Sequence, residues 1–340
     1  MIVLTGGGTG GHLRIVKCLL ESATKLNIEC IYIGSTNGQD RAWFENEMRF
    51  KERFFLASSG VVNKSKFQKF SSLLNILKLS KISAKILKTY DVKAVFSVGG
   101  YSAAPTSFAA LFNKIPLFIH EQNSKKGSLN FILKPFATKF YSAFEKNFCP
   151  YPVDDKFFNT ARLRKELKSV IFLGGSQGAS FINNLALNLA LKLSKMGVKI
   201  IHQCGQKELE NVKKSYENLG VKADVFDFCE NLEEKMSSAD LAISRAGAST
   251  LFELCANALP CIFIPFAYAF KNHQYFNAKF LQDKALCQIF TQENANENEI
   301  LKAISKINLD DISARLKQIA QKNSAEFLLK DALQSINYKF

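Results

Sequence analysis

The sequence predicts an α/β chain built as two Rossmann-like domains whose parallel sheets face each other across a cleft. Residues 1–5 form a short apolar strand that runs into Gly6-Gly-Gly-Thr-Gly-Gly-His12, then a helix over about 13–26 and a strand over 30–33. The same opening returns later: apolar residues 170–173, then Gly174-Gly-Ser-Gln-Gly178, a helix over about 181–195 and a strand over 198–202. Strand, glycine loop, helix and strand make half of a doubly wound nucleotide-binding unit. A length of 340 residues gives each of two such domains its own core. We expect the first domain over 1–153 and the second over 154–324, with a last helix, within about 325–340, packing back on the first.

The first loop spells Gly6-x-Gly8-x-x-Gly11, the dinucleotide fingerprint, but that fingerprint wants an acid at the end of the second strand. Ile33-Gly34-Ser35 offers none, so NAD is disfavoured. His12 stands where a P-loop would carry lysine, which excludes that motif too. What remains is a glycine loop that lets a phosphate approach the backbone and a helix start. His12 is then either a catalytic group or a structural hydrogen-bonding one.

Residues 53–90 carry no acid, while Lys64, Lys66, Lys69, Lys78, Lys81, Lys85 and Lys88 alternate with Phe67, Phe70, Leu73, Leu74, Leu77, Ile82 and Ile86. The spacing over 61–90 predicts an amphipathic helix. Lysines interleaved with Phe and Leu favour an anionic membrane interface over nucleic acid. A helix packed on the sheet with a solvated basic face fits the same pattern, and the two can hold for different parts of the segment. A strand over 94–98 then feeds Gly99-Gly-Tyr-Ser102, and one over 117–119 ends in His120-Glu-Gln-Asn123. Ligands of open parallel sheets gather at such strand ends. Pro150-Tyr-Pro-Val153 reads as a linker.

In the second half, strands are expected near 225–228 and 262–264, and another over 239–243 ends in Ser244-Arg-Ala-Gly-Ala-Ser-Thr-Leu-Phe-Glu253. A helix over 250–256 puts Glu253 one turn in. Amides at such a helix start attract phosphate, and the carboxylate is placed to accept from a ribose diol. The alternative is an ordinary helix capped by Ser249 or Thr250 with Glu253 solvated. A further helix opening near Lys271 to Gln274 brings amide and imidazole groups of the kind that read sugar hydroxyls. The final helix, about 325–336, is amphipathic.

Composition bounds the class. Hydrophobic residues are 47% and charged residues 22%, as in a soluble globular protein. The eight cysteines lack a C-x-x-C pair, so neither zinc nor a disulfide framework is expected. No signal peptide and no transmembrane span is read, the longest apolar run, 259–270, being broken by prolines. Residues 1–150 hold 21 Lys/Arg against 9 Asp/Glu, and residues 151–340 hold 24 against 21. An acidic partner is therefore expected at the first domain.

Gly6-Gly-x-Thr-Gly-Gly-His12, Gly99-Gly-Tyr101, His120-Glu-Gln-Asn123, Gly174-Gly-Ser-Gln-Gly178, Ser244-Arg-x-Gly-Ala248 and Glu253 occur in the order seen in the MurG family, which the chain resembles over nearly its whole length. These are peripheral-membrane N-acetylglucosaminyltransferases of peptidoglycan synthesis. The resemblance implies a GT-B fold and inverting transfer of GlcNAc from UDP-GlcNAc to the C4 hydroxyl of lipid I, giving lipid II, at the cytoplasmic face of the inner membrane. It implies donor contacts at Thr9, Gly10, Gly11, Asn123, Ser176, Gln177, Gly178, Cys229, Arg245, Gly247, Ala248, Ser249, Thr250, Glu253, His273, Gln274 and Asn277. The acceptor diphosphate would meet Gly7, Gly8, Gly99, Gly100 and Tyr101, and the membrane Lys64, Lys66, Phe67, Lys69, Phe70, Leu74 and Leu77. Partners would be UDP-GlcNAc, lipid I, an anionic membrane surface and other cell-wall synthesis proteins, with no nucleic acid.

The chain departs from the family at His273-Gln274, where two glutamines are usual, at Asp154 after Pro-Val, and at Leu13-Arg-Ile-Val16, which lacks a proline. A neutral imidazole is a natural base near pH 7. His12 is the candidate and Glu121 the alternative, with Ser176, Gln177 and helix-start amides meeting the leaving diphosphate. No Asp-x-Asp motif is present, so no cofactor and no divalent ion is expected. Two rivals share parts of the pattern: a UDP-GlcNAc 2-epimerase, and a non-catalytic membrane-bound UDP-sugar-binding protein. The first has no use for a basic amphipathic face, and the second none for His12 and Asn123.

Overall fold

The computed structural model describes residues 1–60, 65–145, 149–175 and 179–338. It divides into two compact units, Met1–Val153 with Asn323–Phe340, and Asp154–Lys322. In the first unit lie β1 (Ile2–Thr5), α1 (Gly10–Lys25), β2 (Cys30–Ser35), α2 (Asp40–Phe44), β3 (Glu52–Leu56), α3 (Lys66–Thr89), β4 (Ala94–Ser97), α4 (Ala104–Phe112), β5 (Leu117–His120), α5 (Ser128–Leu133) and β6 (Lys139–Tyr141). The six strands are parallel in the order β3-β2-β1-β4-β5-β6. β1 pairs with β2 from Ile2–Cys30 to Thr5–Ile33 and with β4 from Ile2–Ala94 to Thr5–Ser97. Every residue of β1, β2, β4 and β5 is buried, which is why they read as unbroken apolar runs rather than as alternation.

The second unit repeats the plan. It holds α6 (Asp155–Asn159), β7 (Ser169–Leu173), α7 (Ser180–Lys195), β8 (Lys199–Gln203), α8 (Leu209–Asn218), β9 (Ala223–Phe226), α9 (Leu232–Ser238), β10 (Leu241–Ser244), α10 (Ala248–Ala256), β11 (Cys261–Phe263), α11 (His273–Gln282), β12 (Cys287–Ile289), α12 (Glu297–Lys306) and α13 (Leu309–Leu316). Its parallel order, β12-β11-β10-β7-β8-β9, is the same permutation read from the other edge. The last helix, α14 (Ser324–Gln334), belongs to the first unit and packs on α1. In each sheet the strand order reverses beside the first strand, between β1 and β4 and between β7 and β10. Such a reversal opens a crevice at the strands' C-terminal ends. The glycine loops after β1, β4 and β7 and the Arg245–Gly247 turn after β10 all stand there.

Each core is a sheet face closed by helices. In the first unit Val3, Ile31, Ile33, Val95 and Ile119 meet Ile86 and Leu87 of α3, Ala109 and Ala110 of α4, and Leu133 of α5. In the second, Val170, Phe172 and Ile243 meet Ile182, Leu185, Leu189 and Leu193 of α7. Each such Leu, Ile or Phe contributes about 1.5–3 kcal/mol by leaving water.

The basic segment opens with a strand, residues 52–56, whose Phe54 and Leu56 pack against the sheet core. The helix itself begins only at Lys66, where Ser65 and Gln68 form a reciprocal capping box. Pro150–Val153 ends at the boundary of the two units, where the linker is expected, and it is packed: Tyr151 and Val153 are buried and the Val153 amide donates to Ser324 Oγ at 3.3 Å.

α3 has two apolar sides. Ile76, Leu79, Ile86 and Leu87 are buried, with α4 packed alongside and Ser83 Oγ 3.4 Å from Thr106 Oγ1. Phe67, Phe70, Leu73, Leu74 and Leu77 share the opposite side and are exposed, Phe67 at 82%. Lys69, Lys78 and Lys81 are exposed with them. Lys64 lies outside the described residues, and Lys66 is described by its backbone alone. Phe112 of α4 and Phe131, Ile132 and Phe136 at α5 are exposed too, on helices that close the same face of the sheet.

Candidate functional site

In the first unit the site is built on the loop from Gly6 to His12. Asp40, fully buried at the start of α2, accepts from the Gly8 amide at 2.6 Å, the Ser35 amide at 3.0 Å and Tyr32 Oη at 3.1 Å. The single O–H proton of Tyr32 is shared between that carboxylate and the Gly6 carbonyl, 3.0 Å away, and Phe44 and Phe50 hold its ring. Burial, then the Asp40 charge, drive the Tyr32 hydroxyl well above its ordinary range, so it stays a donor. On the other side the Tyr101 ring lies over Gly8 and its hydroxyl donates to the Asn37 carbonyl at 2.9 Å. Only glycine fits between. A Cβ on Gly7 would stand 2.5 Å from Asp40 Oδ1, and one on Gly8, where φ is +84°, would stand 2.7 Å from the Tyr101 ring.

Spacing alone found no acid at the end of β2. The fold brings one there from five residues further on, but turns it into the loop and away from any ribose. This also revises the acceptor assignment. The Gly7 amide donates to the Gly99 carbonyl at 3.3 Å and the Gly8 amide to Asp40, so neither is offered to a phosphate. Tyr101 contributes its ring as a wall, because its hydroxyl is engaged. Gly99 and Gly100 both have positive φ and form the facing turn after β4.

His12 lies in the first turn of α1, half-buried. Its Nδ1 is 2.9 Å from Thr9 Oγ1, and Gln122 Nε2 is 3.0 Å from its Nε2 and 3.2 Å from its Nδ1. With the proton on Nδ1, donated to Thr9, the lone pair is on Nε2, and Gln122 Nε2, nearly equidistant from the two ring nitrogens, lies over the ring face rather than in line with that lone pair. Gln122 is a site residue the sequence reading passed over, although it sits inside the His120–Asn123 motif. His120, beneath, is 3% exposed with its ring against Tyr151. Burial, then the charge of His12, lowers it to about 3, so it stays neutral.

Glu121 is a loop-organising carboxylate. It accepts from the amides of Asn123 and Gly127, both at 2.9 Å, and from Asn130 Nδ2 at 3.0 Å. Burial raises its carboxyl and these bonds oppose the rise. Both its oxygens are engaged and only 3% of it is exposed, which removes the geometric case for it as a base. Asn123 is bound into this loop, and Thr9, Gly10 and Gly11 form the start of α1.

In the second unit, Gly175 at φ +80° leads out of β7. Ser176, Gln177 and Gly178 lie outside the described residues. The helix that follows, α7, is fixed at its start by Glu208, which accepts from Ser180 Oγ and, at 2.6 Å, from Asn183 Nδ2. Asn183 Oδ1 in turn meets buried His202 at 3.0 Å, and Tyr216 Oη meets the other ring nitrogen at 3.0 Å. This chain, unseen in the sequence, ties β8, α7 and α8 together.

After β10, Gly247 is the N-cap of α10 and no side chain caps the helix, so Ser249 and Thr250 do not play that part. Ala248, Ser249 and Thr250 form the opening turn, whose amides are the natural seat of an anion. Glu253 stands in the next turn and is 5% exposed, not solvated. Arg245 donates to the carbonyls of Ile264 at 3.0 Å and Pro265 at 3.2 Å, with its guanidinium 5.6 Å from both the Phe181 and Phe266 rings. Burial lowers it to about 10, which leaves it charged at neutral pH.

Gln274 accepts from the Phe266 amide at 2.9 Å, and Asn277, fully buried, donates to the Ala246 carbonyl at 3.2 Å. Asn277 therefore acts on the turn after β10 and presents no surface of its own. His273 Nδ1 donates to the Phe270 carbonyl at 2.8 Å, leaving Nε2 as the acceptor nitrogen. Lys271 and Asn272, just before, both have left-handed backbone, φ 50° and 53°. Cys229, after β9, is half-buried.

Comparison with known proteins now bears on this geometry. The family model described as Glycosyltransferase family 28 N-terminal domain matches residues 2–142, and that of the family 28 C-terminal domain matches residues 169–335. A UDP-N-acetylglucosamine--N-acetylmuramyl-(pentapeptide) pyrophosphoryl-undecaprenol N-acetylglucosamine transferase of Campylobacter jejuni subsp. doylei is 71% identical, with 98% of each chain covered. The protein so named in Sulfurimonas denitrificans is 50% identical over 99% of each chain. The crystal structure of MurG from Acinetobacter baumannii superposes with a TM-score of 0.81 at 25% identity, covering 98% of this chain and 99% of that one.

Proposed function

The chain belongs to glycosyltransferase family 28, and from that membership we infer that it transfers N-acetylglucosamine from UDP-GlcNAc to lipid I, giving lipid II in peptidoglycan synthesis. The observation that carries this is 71% identity over 98% of both chains. Two Rossmann-like units, each with its loops at the point of strand reversal, supply the matching GT-B architecture.

We assign the donor to the second unit. The opening amides of α10 suit its diphosphate, Glu253 its ribose, and the His273–Gln274 end of α11 its sugar. The acceptor goes to the first unit. There the C4 hydroxyl oxygen forms the new bond to the anomeric carbon as that carbon's bond to UDP breaks, with inversion. The proton passes to His12 Nε2 and UDP leaves with the bonding pair. Thr9 holds Nδ1–H in place, and neutral His120 beneath adds no competing charge. No divalent ion is invoked, since the sequence lacks an Asp-x-Asp motif.

The acceptor's lipid calls for a membrane surface. The exposed apolar side of α3, flanked by Lys69, Lys78 and Lys81, supports peripheral binding to an anionic leaflet, as do Phe112, Phe131, Ile132 and Phe136 on the same helical layer. Among the described residues no helix is long and apolar enough to cross a membrane. The test is incubation with radiolabelled UDP-GlcNAc and a lipid I analogue, with and without EDTA. A labelled disaccharide-lipid is expected in both. Hydrolysis or epimerisation of UDP-GlcNAc with no lipid product would overturn the assignment, and loss of product with EDTA would overturn the metal-free step.

A further inference from the structure

We propose that Asp40 is a positioning residue for His12, and that the loop from Gly6 to Gly8 is a scaffold rather than a cradle for the acceptor's diphosphate. The inference rests on the reading of His12 as the base.

Asp40 is fully buried, and its three bonds go to two backbone amides and a phenol rather than to a cation. Such a carboxylate stays satisfied only while its donors stay in register, and two of the three bind the loop, the Gly8 amide directly and Tyr32 through the Gly6 carbonyl. The loop is thereby clamped from below by Asp40 and from above by the Tyr101 ring, four residues before His12. Because α1 begins at Gly10, a shift of the loop moves the first turn and the imidazole with it. A misplacement of about 1 Å is enough to cost a base much of its effect. The same carboxylate places a negative charge behind the loop and takes the Gly8 amide. Both features work against phosphate, which seeks open amides and positive potential.

The experiment is a double-mutant cycle on the full-length protein, reading kcat and both KM values. Asp40→Asn keeps the shape but turns an amide N–H toward the donors of Gly8 or Ser35. We expect kcat to fall about 10–100-fold, the loss of a charged hydrogen bond expressed as a rate, with both KM values within about two-fold. In the His12→Ala background Asp40→Asn should change kcat little further, because a residue acting through another shows strong non-additivity. Tyr32→Phe, which keeps the ring and removes the hydroxyl, should give a smaller fall with the same non-additivity, and carries the cycle if Asp40→Asn does not fold. The far-UV circular dichroism spectrum and the thermal unfolding midpoint monitor folding of the whole chain, the first unit included.

An unchanged kcat in a folded Asp40→Asn protein overturns the proposal. So does a multiplicative loss on top of His12→Ala, and so does a lowered acceptor KM, which removal of a repelling charge from a diphosphate cradle would produce. Full activity of His12→Ala alone overturns the base assignment instead, whatever Asp40 does.

Discussion

Glu253 is the residue whose environment most sharply narrows its role. A carboxylate 5% exposed in the second turn of a helix is not there for solubility. Replacing it by alanine should weaken UDP binding by about 1.5–3 kcal/mol, the range for bonds to a charged group. Glu253→Gln, which keeps the shape, should recover part of that. Calorimetry giving wild-type UDP affinity for both variants would remove the ribose role. Gln274 offers a contrast, since its carbonyl already holds the Phe266 amide. Gln274→Ala should therefore loosen the 264–270 turn and erode discrimination between UDP-GlcNAc and its 4-epimer more than affinity for UDP. An equal loss for both sugars and for UDP would contradict this.

At the scale of the element, α10 is held from behind by Arg164. This arginine is fully buried and donates to the carbonyls of Met236 at 3.0 Å, Ala239 at 3.2 Å and Arg162 at 2.6 Å, and to both oxygens of Asn257, the C-cap of α10. Burial, then the charge of Arg162, lowers it to about 9, yet it remains a cation at neutral pH at a helix C-terminus, where the dipole favours one. Arg164→Ala leaves several buried carbonyls without donors and should destabilise the fold by about 3 kcal/mol or more. Lysine should not rescue it, lacking the planar fork. A denaturation midpoint within error of wild type would refute this. For α3 the two sides predict opposite phenotypes. Phe67→Ser with Phe70→Ser should abolish cosedimentation with anionic vesicles and leave the melting temperature unchanged. Leu79→Ala, on the buried side, should cost about 2–5 kcal/mol and leave vesicle binding intact. Vesicle binding by the double serine variant would end the membrane reading of that face.

For the whole molecule, each unit keeps one histidine neutral inside its core, and this shapes the response to acid. His120 is lowered to about 3 and His202 to about 4, in both cases chiefly by burial. Unfolded histidine titrates near 6.5. Between those values the unfolded chain binds protons that the native one refuses, so stability falls as pH drops below about 6.5, by up to about 1.4 kcal/mol per pH unit for each group. Glu121, raised by burial, works in the opposite direction, so the decline from pH 6.5 to 5 is that of the histidines less its share. Urea midpoints should decline across that interval, and His202→Gln should flatten the decline. A flat wild-type profile would contradict the burial argument. The repeated opening at Gly6 and Gly174, the all-buried strands and the position of Glu253 were legible in the sequence, because apolar runs, glycine turns and helix starts are local signals. The short strands β3, β6 and β12 escaped it, being three to five residues long at sheet edges with little pattern of their own. The sequence alone thus determined two nucleotide-binding-type units and the motif order of the family. Only the tertiary structure decided that Asp40 closes on Gly8, that Glu121 and Asn277 face inward, and that the apolar residues of α3 divide between core and solvent. Those outcomes depend on which strand ends meet at one sheet edge and which helix side a neighbour covers, and no spacing along the chain records either.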